Sequence, residues 1–326
     1  MVETKIHSNE KRKFKGMIKR IIILTFCSVL SLASYAQQDV LLSQYMFNNL
    51  LVNPGYAGSK RYASASLLYR NQWVKFEGTP KTFVATVHGP TRTRKVGLGL
   101  TMAADKIGVT SRYDVYANYA YHVNLSDKMK LGLGMRGGFS YFNAKLSELI
   151  VWDKPDVLFD PSSVSNILPN FGAGAYMYSK KFYLGISVPE LLSYDPTRPV
   201  SFDITNNIVP KQVRHYFYTM GGAIELNPDF VLRPAMLVKY SQNTPVEFDF
   251  NLNLLIKKVL WIGGAYRTGD AAVGMIELQA TKQLRIGYAY DFTTSQLKNY
   301  SNGSHEIMIG YDFGYDIMKI KTPRYF

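Results

Sequence analysis

The chain has 326 residues, 47% of them apolar, with 24 Tyr, 18 Phe and 25 Gly, a balance that suits many strands rather than many helices. Beyond residue 36 no stretch reaches the run of about 18 apolar residues that a spanning helix needs, which excludes a helical membrane protein. The formal charge of +14 would suit nucleic acid, but the chain opens on an export signal, which excludes that partner and leaves anionic lipid and acidic proteins.

Residues 1–36 read as a secretory signal peptide. KRKFKGMIKR supplies cations, IIILTFCSVL a short apolar run, and Ser34 and Ala36 the small residues a signal peptidase reads. Cleavage after Ala36 starts the mature chain at Gln37; Met17 offers an alternative start. The leader takes seven Lys and Arg and two Asp and Glu with it, leaving 31 cations against 22 anions, a mature charge of +9. It also takes Cys27, the single cysteine. Phe26 stands where a lipoprotein signal needs a small residue, and the mature chain is left without disulfide or thiolate chemistry.

Residues 37–60 form a separate segment. LLSQYMFNNLLVNPGYAGS, residues 41–59, neither alternates nor keeps a helical period, and it sets Asn48, Asn49 and Asn53 among aromatics before the turn at Pro54-Gly55. Two placements follow: a plug folded into a barrel lumen, or an arm that grips a partner outside it.

From residue 61 to 326 apolar and polar or small residues alternate, the period of a strand with one greasy face. In VEFDFNLNLLI, Val246, Phe248, Phe250, Leu252 and Leu254 oppose Glu247, Asp249, Asn251 and Asn253. The pattern predicts strands at 62–75, 82–91, 95–105, 111–124, 129–144, 167–179, 181–189, 213–226, 229–242, 246–257, 259–268, 271–280, 283–293 and 304–315. Every second connection is a tight turn. The others include two long loops, around 145–166 and 190–212, and the Ser/Asn-rich TTSQLKNYSNGS. Short turns on one rim and long loops on the other, with strands long enough to cross a bilayer, predict an all-β, transmembrane, antiparallel up-and-down barrel of about 14 strands with the short turns and both termini periplasmic. A soluble sandwich would not make its polar face so rich in glycine.

The charges predicted to face the lumen are Asp114, Arg136, Glu247, Asp249, Arg267, Glu277, Arg285, Asp291 and Asp312; mixed signs favour pairing across the lumen over ion selection. The short-turn rim is basic, with Arg92, Arg94, Lys95, Lys128, Lys180, Lys181, Lys257, Lys258 and Lys282, and offers a face to lipid headgroups or to an acidic periplasmic partner. In the long loops Trp152, Phe159, Tyr194 and Phe202 are candidate contacts, though each suits packing within its own loop equally well.

No chemistry is expected. GLGMRG, residues 132–137, matches a dinucleotide fingerprint, but no helix follows it, and Gly132 and Gly134 are alternating residues of a strand. His88, His122, His215 and His305 lie on four separate strands without metal-ligand spacing. Ser304, His305 and Glu306 are consecutive strand residues that point to opposite faces. No catalytic residue, cofactor or metal is assigned, and the chain is read as non-enzymatic.

The opening stretch carries a resemblance. Ser43-Gln44-Tyr45-Met46-Phe47, then Asn49, then Asn53-Pro54-Gly55-Tyr56-Ala57-Gly58, followed by Arg70-Asn71-Gln72-Trp73, resemble the start of the PorP/SprF family of type IX secretion system outer-membrane proteins; Gly55 stands where the family often has Ala. The resemblance implies a part in the secretion or surface attachment of cargo, such as adhesins, that bears a C-terminal secretion domain, in bacteria that often glide, and an association with a periplasmic lipoprotein ring. A 14-stranded barrel is too narrow to pass a folded protein, so the expected role is to receive, hold or couple cargo. The alternative is a plugged transporter or porin for small or hydrophobic solutes.

Overall fold

The computed structural model describes residues 42–145, 164–193, 213–242 and 244–314. The leader 1–36 and the loop aromatics Trp152, Phe159, Tyr194 and Phe202 lie outside the described residues. Gln38–Gln242 and Val246–Phe326 form one compact unit; of the other, Met1–Gln37 with Asn243–Pro245, only Thr244 and Pro245 are described.

Among the described residues fifteen strand segments follow in chain order: β1 Ala63–Asn71, β2 Lys81–Pro90, β3 Val96–Ile107, β4 Thr110–Asn124, β5 Lys130–Ala144, β6 Val164–Tyr178, β7 Phe182–Val188, β8 His215–Gly222, β9 Ile224–Asn227, β10 Phe230–Ser241, β11 Glu247–Ile256, β12 Leu260–Arg267, β13 Ala271–Gln279, β14 Leu284–Thr293 and β15 Ser304–Phe313. β9 continues β8 past Ala223 in the same register against β10, where Ala235 faces Gly221 and Leu232 faces Ile224, until the register shifts between Val231 and Phe230. The two are one strand of the wall. Each strand pairs antiparallel with its neighbours, and β1 pairs with β15 from Ala63 opposite Phe313 to Asn71 opposite His305. The result is a closed 14-strand antiparallel barrel with no free edge to satisfy.

The alternation decides which side of the wall each residue takes. Along β15, Ile307, Ile309, Tyr311 and Phe313 are exposed on the outside, whereas Ser304, Glu306, Met308 and Asp312 are buried within. Leu98, Leu133, Phe139, Phe250 and Ile276 are likewise exposed outside. So broad an apolar exterior over a charged interior inverts a soluble protein and suits a wall in contact with lipid. Among the described residues no helix is long and apolar enough to cross a membrane.

Two strand limits differ from the alternation by more than two residues. β1 stops at Asn71, not at residue 75, because Trp73 and Lys75 take φ of 50° and 85°, a left-handed backbone that cannot continue a strand. β6 starts three residues earlier, at Val164, in register with the end of β5.

Candidate functional site

The lumen is occupied by the chain's own residues 42–60. They form three short 3-10 turns, Tyr45–Phe47, Asn49–Leu51 and Pro54–Tyr56, and every one except the half-buried Leu51 is buried. Side chains that match no strand or helix period find partners all round the inner wall. The segment runs from the level of Arg70 and Glu306, at the long-loop end of β1 and β15, to that of Ser64 and Asp312 at the short-turn end.

Ser43 sits at the centre of the upper anchor. The backbone N–H groups of Ser43 and Gln44 donate to the two carboxylate oxygens of Glu306, each at 2.8 Å. The Ser43 hydroxyl donates to Asp291 at 2.8 Å and accepts from Arg70 at 3.0 Å and Arg267 at 3.3 Å. Arg70 pairs with Asp291 at 2.7 Å and with Glu306 at 3.1 Å. Arg267 pairs with Asp270, Asp249, Asp291 and Glu247. Arg70 and Arg267 are each 1% exposed, and charges this deeply buried persist only where partners surround them.

Below the anchor, Tyr45 accepts from Asn251 at 3.2 Å, and burial raises its phenol well above the ordinary value. Arg233 donates to Met46 O at 2.6 Å and lies over the rings of Phe47 and Trp261. Asn48 donates to Ser66 and Thr86, and Ser187 donates to Val52 O at 2.5 Å. Asn53 bonds both its own turn, accepting from Gly55 N at 2.9 Å, and the wall, donating to Ala175 O at 3.0 Å. Asn49 is 1% exposed against the same wall.

The wall's glycines are fitted to this segment. A Cβ on Gly134 would overlap Pro54 and Gly55, one on Gly132 would overlap Gly55 O, and one on Gly97 would overlap Ala57 O. Gly132 and Gly134, two of the three glycines that mimic a dinucleotide fingerprint, are therefore the seat of the Pro54-Gly55-Tyr56 turn. Gly58, with φ of 68°, needs to be glycine for its backbone as well. Gly134→Ala is expected to cost about 1–3 kcal/mol by overpacking and to expose the turn, read as faster thiol labelling of Ala57→Cys. Gly274→Ala, whose Cβ would meet nothing within 4 Å, is expected to leave labelling unchanged.

The lower anchor holds residues 56–60. His88 Nδ1 accepts from Gly58 N at 3.1 Å, and His122 Nε2 donates to Ala57 O at 2.7 Å. Tyr56 packs edge-on against Tyr176 with centroids 5.3 Å apart, and burial pushes its phenol up to about 12. Lys60 bonds Ser64 at 3.0 Å and pairs with Asp312 at 3.4 Å. Burial, with Arg285 adding to the fall and Asp312 opposing it, lowers its ammonium to about 8. Arg285 lies 3.7 Å from both Glu277 and Asp312.

The lumen charges thus gather in three clusters. Glu247, Asp249, Arg267 and Asp291 join the upper anchor, and Glu277, Arg285 and Asp312 the lower. Asp114 and Arg136 belong to a third, in which Arg112 bridges Asp114 and Glu190 and Arg136 reaches Glu190, Pro189 O and Leu51 O. Arg92, Arg94, Lys257 and Lys258 lie exposed on hairpin turns at the opposite rim from the long loops. Sequence reasoning missed Arg70 and Glu306. Glu306 was legible, since it shares parity with Met308 and Asp312, but Ser304-His305-Glu306 invited the question of catalysis instead. Among the described residues no group of His, Cys, Asp and Glu could hold a metal ion.

No curated protein matches the chain significantly. Solved structures resemble it at low identity. The outer membrane protein Omp33 of Acinetobacter baumannii is 8% identical over 78% of this chain and 100% of its own, with a TM-score of 0.44. A Pseudomonas aeruginosa FadL homologue is 12% identical over 86% and 96%, with a TM-score of 0.45. The CymD monoaromatic hydrocarbon channel is 11% identical over 84% and 94%, with a TM-score of 0.45. The model of the family described as type IX secretion system membrane protein PorP/SprF matches residues 34–311, a span that takes in the lumen segment and nearly the whole wall. The chain belongs to the PorP/SprF family of type IX secretion system membrane proteins and is an outer-membrane β-barrel.

Proposed function

We propose that this barrel serves type IX secretion without catalysis, by supporting the secretion or surface attachment of cargo proteins, adhesins among them, through their C-terminal secretion domains, with gliding motility as one output. The observation that carries this reading is the filled lumen: residues 42–60 are tied at the upper end by backbone hydrogen bonds from Ser43 and Gln44 to the buried, Arg70-paired carboxylate of Glu306 and at the lower end by the Lys60–Asp312 ion pair, which suits a closed docking platform better than a conduit. Contacts are then made at the rims, with cargo at the long-loop end and a periplasmic lipoprotein ring at the short-turn end. A deletion strain tests it: loss of surface adhesin with normal solute uptake supports the reading, and intact surface display with impaired uptake of small or hydrophobic solutes replaces it with the transporter.

The basic rim supports the placement of the periplasmic partner. Lys257 and Lys258 take φ of 49° and 60° in the β11–β12 turn, a left-handed pair that favours Asn-Gly and costs a lysine about 1 kcal/mol or more at each position. Cations kept at that cost suit an acidic surface. Lys257→Asn with Lys258→Gly is expected to stabilise the barrel by about 1 kcal/mol while weakening co-purification of periplasmic components. A more stable barrel with undiminished co-purification would remove the rim from the docking role.

A further inference from the structure

The outer wall changes character abruptly across β2 to β5 near the long-loop end. One register row reads Lys81, Lys106, Ser111 and Asn143, each paired with the next. The next row of the same face, toward the middle of the barrel, reads Phe83, Ala104, Tyr113 and Tyr141. Beyond it lie Met102, Val115 and Phe139. Tyr113 and Tyr141 stack with centroids 6.3 Å apart and planes 28° apart, as aromatics do where a barrel leaves hydrocarbon for headgroups. Immediately past this pair is a cleft of about 340 Å³ lined by Lys106, Ser111, Tyr113, Tyr141, Asn143 and Lys145.

Two features point to an anion. Lys81 stands directly opposite Lys106 on the neighbouring strand, and like charges so placed destabilise a sheet unless something negative lies between or beside them. Ser111 and Asn143 line the cleft beside Lys106, with hydroxyl and amide groups that donate hydrogen bonds to phosphate oxygens. The apolar row beneath sets the height at which such a phosphate would be anchored by acyl chains.

We infer that this cleft binds the phosphate of a lipid headgroup in the leaflet at the long-loop end, its acyl chains lying along the apolar face of β3, β4 and β5. The full chain in mild detergent is titrated with phosphatidic acid, with diacylglycerol of the same chains, and with inorganic phosphate as competitor. Phosphatidic acid is expected to bind, and Lys81→Ala with Lys106→Ala to weaken it about thirtyfold. Lys298→Ala, exposed in the turn between β14 and β15, is expected to change the affinity little. Retention of a folded barrel is checked by its heat-dependent mobility on gels. Equal affinity in the Lys81/Lys106 variant, or equal binding of diacylglycerol, overturns the phosphate site. Displacement by inorganic phosphate at the concentration at which the lipid itself binds overturns the lipid as its source.

Discussion

Deleting residues 42–56 is expected to turn a closed barrel into a conducting one, seen as discrete open-channel currents in planar bilayers where the full chain gives none. The wall does not depend on the segment for its hydrogen bonds, because each strand is paired on both sides and β1 closes on β15. The segment fills the lumen with Tyr45, Met46, Phe47, Leu50 and Tyr56, all buried. Once it is removed, the inner glycines that received its backbone leave open space, and Arg70, Arg267, Asp249, Asp291 and Glu306 are left facing water, a charged lining that ions cross readily. Unchanged silence in the bilayer, with the variant folded, would end the plug reading and favour the segment as a handle for partners.

Arg70→Met is expected to lower stability by about 3–5 kcal/mol, measured by chemical unfolding in detergent. The guanidinium is held between Asp291 and Glu306, and its loss strands two buried carboxylates while also removing a donor to Ser43. Arg267 remains 3.5 Å from Asp291 but already pairs with Asp249 and Asp270. Combining Arg70→Met with Asp291→Asn and Glu306→Gln is expected to recover much of the loss, since removing a whole buried ionic group costs far less than breaking it. If the single and triple variants unfolded alike, the ion pairs would not be what holds the upper anchor.

The wall was almost fully readable from the sequence. Alternation is a local property, so Phe248 and Asp249 declare opposite faces without reference to any other strand, and tight turns between such stretches fix the pairing order. What the sequence could not show is what depends on the far side of the lumen. Gly134 looks like any strand glycine until Gly55 is seen resting on it. Arg70 reads as part of an Arg-Asn-Gln-Trp run until Asp291 and Glu306, more than two hundred residues away, are seen beside it. The 3-10 turns were illegible for the same reason: Asn48, Asn53 and Gln44 bond the wall, so their spacing follows the wall's geometry and not a helical repeat. Ser43 was singled out only as part of the Ser-Gln-Tyr-Met-Phe run; its place among four charged side chains was visible only in three dimensions.

The single pass of residues 42–60 through the lumen also constrains how the barrel is made. Lys60 is followed three residues later by β1, and β1 carries the seam with β15, so the first-synthesised part of the described chain lies inside a ring that its last strand completes. Entry after the ring had formed would require threading the bulky Tyr45, Phe47 and Tyr56, all buried in the lumen, past a wall already closed. Entry beforehand requires only that β15 swing onto β1, with Glu306 arriving against Ser43 and Gln44 in the same motion. The assembly order this favours is that of a mould cast around its core: the segment gathers the inner faces of the strands before the seam is sealed.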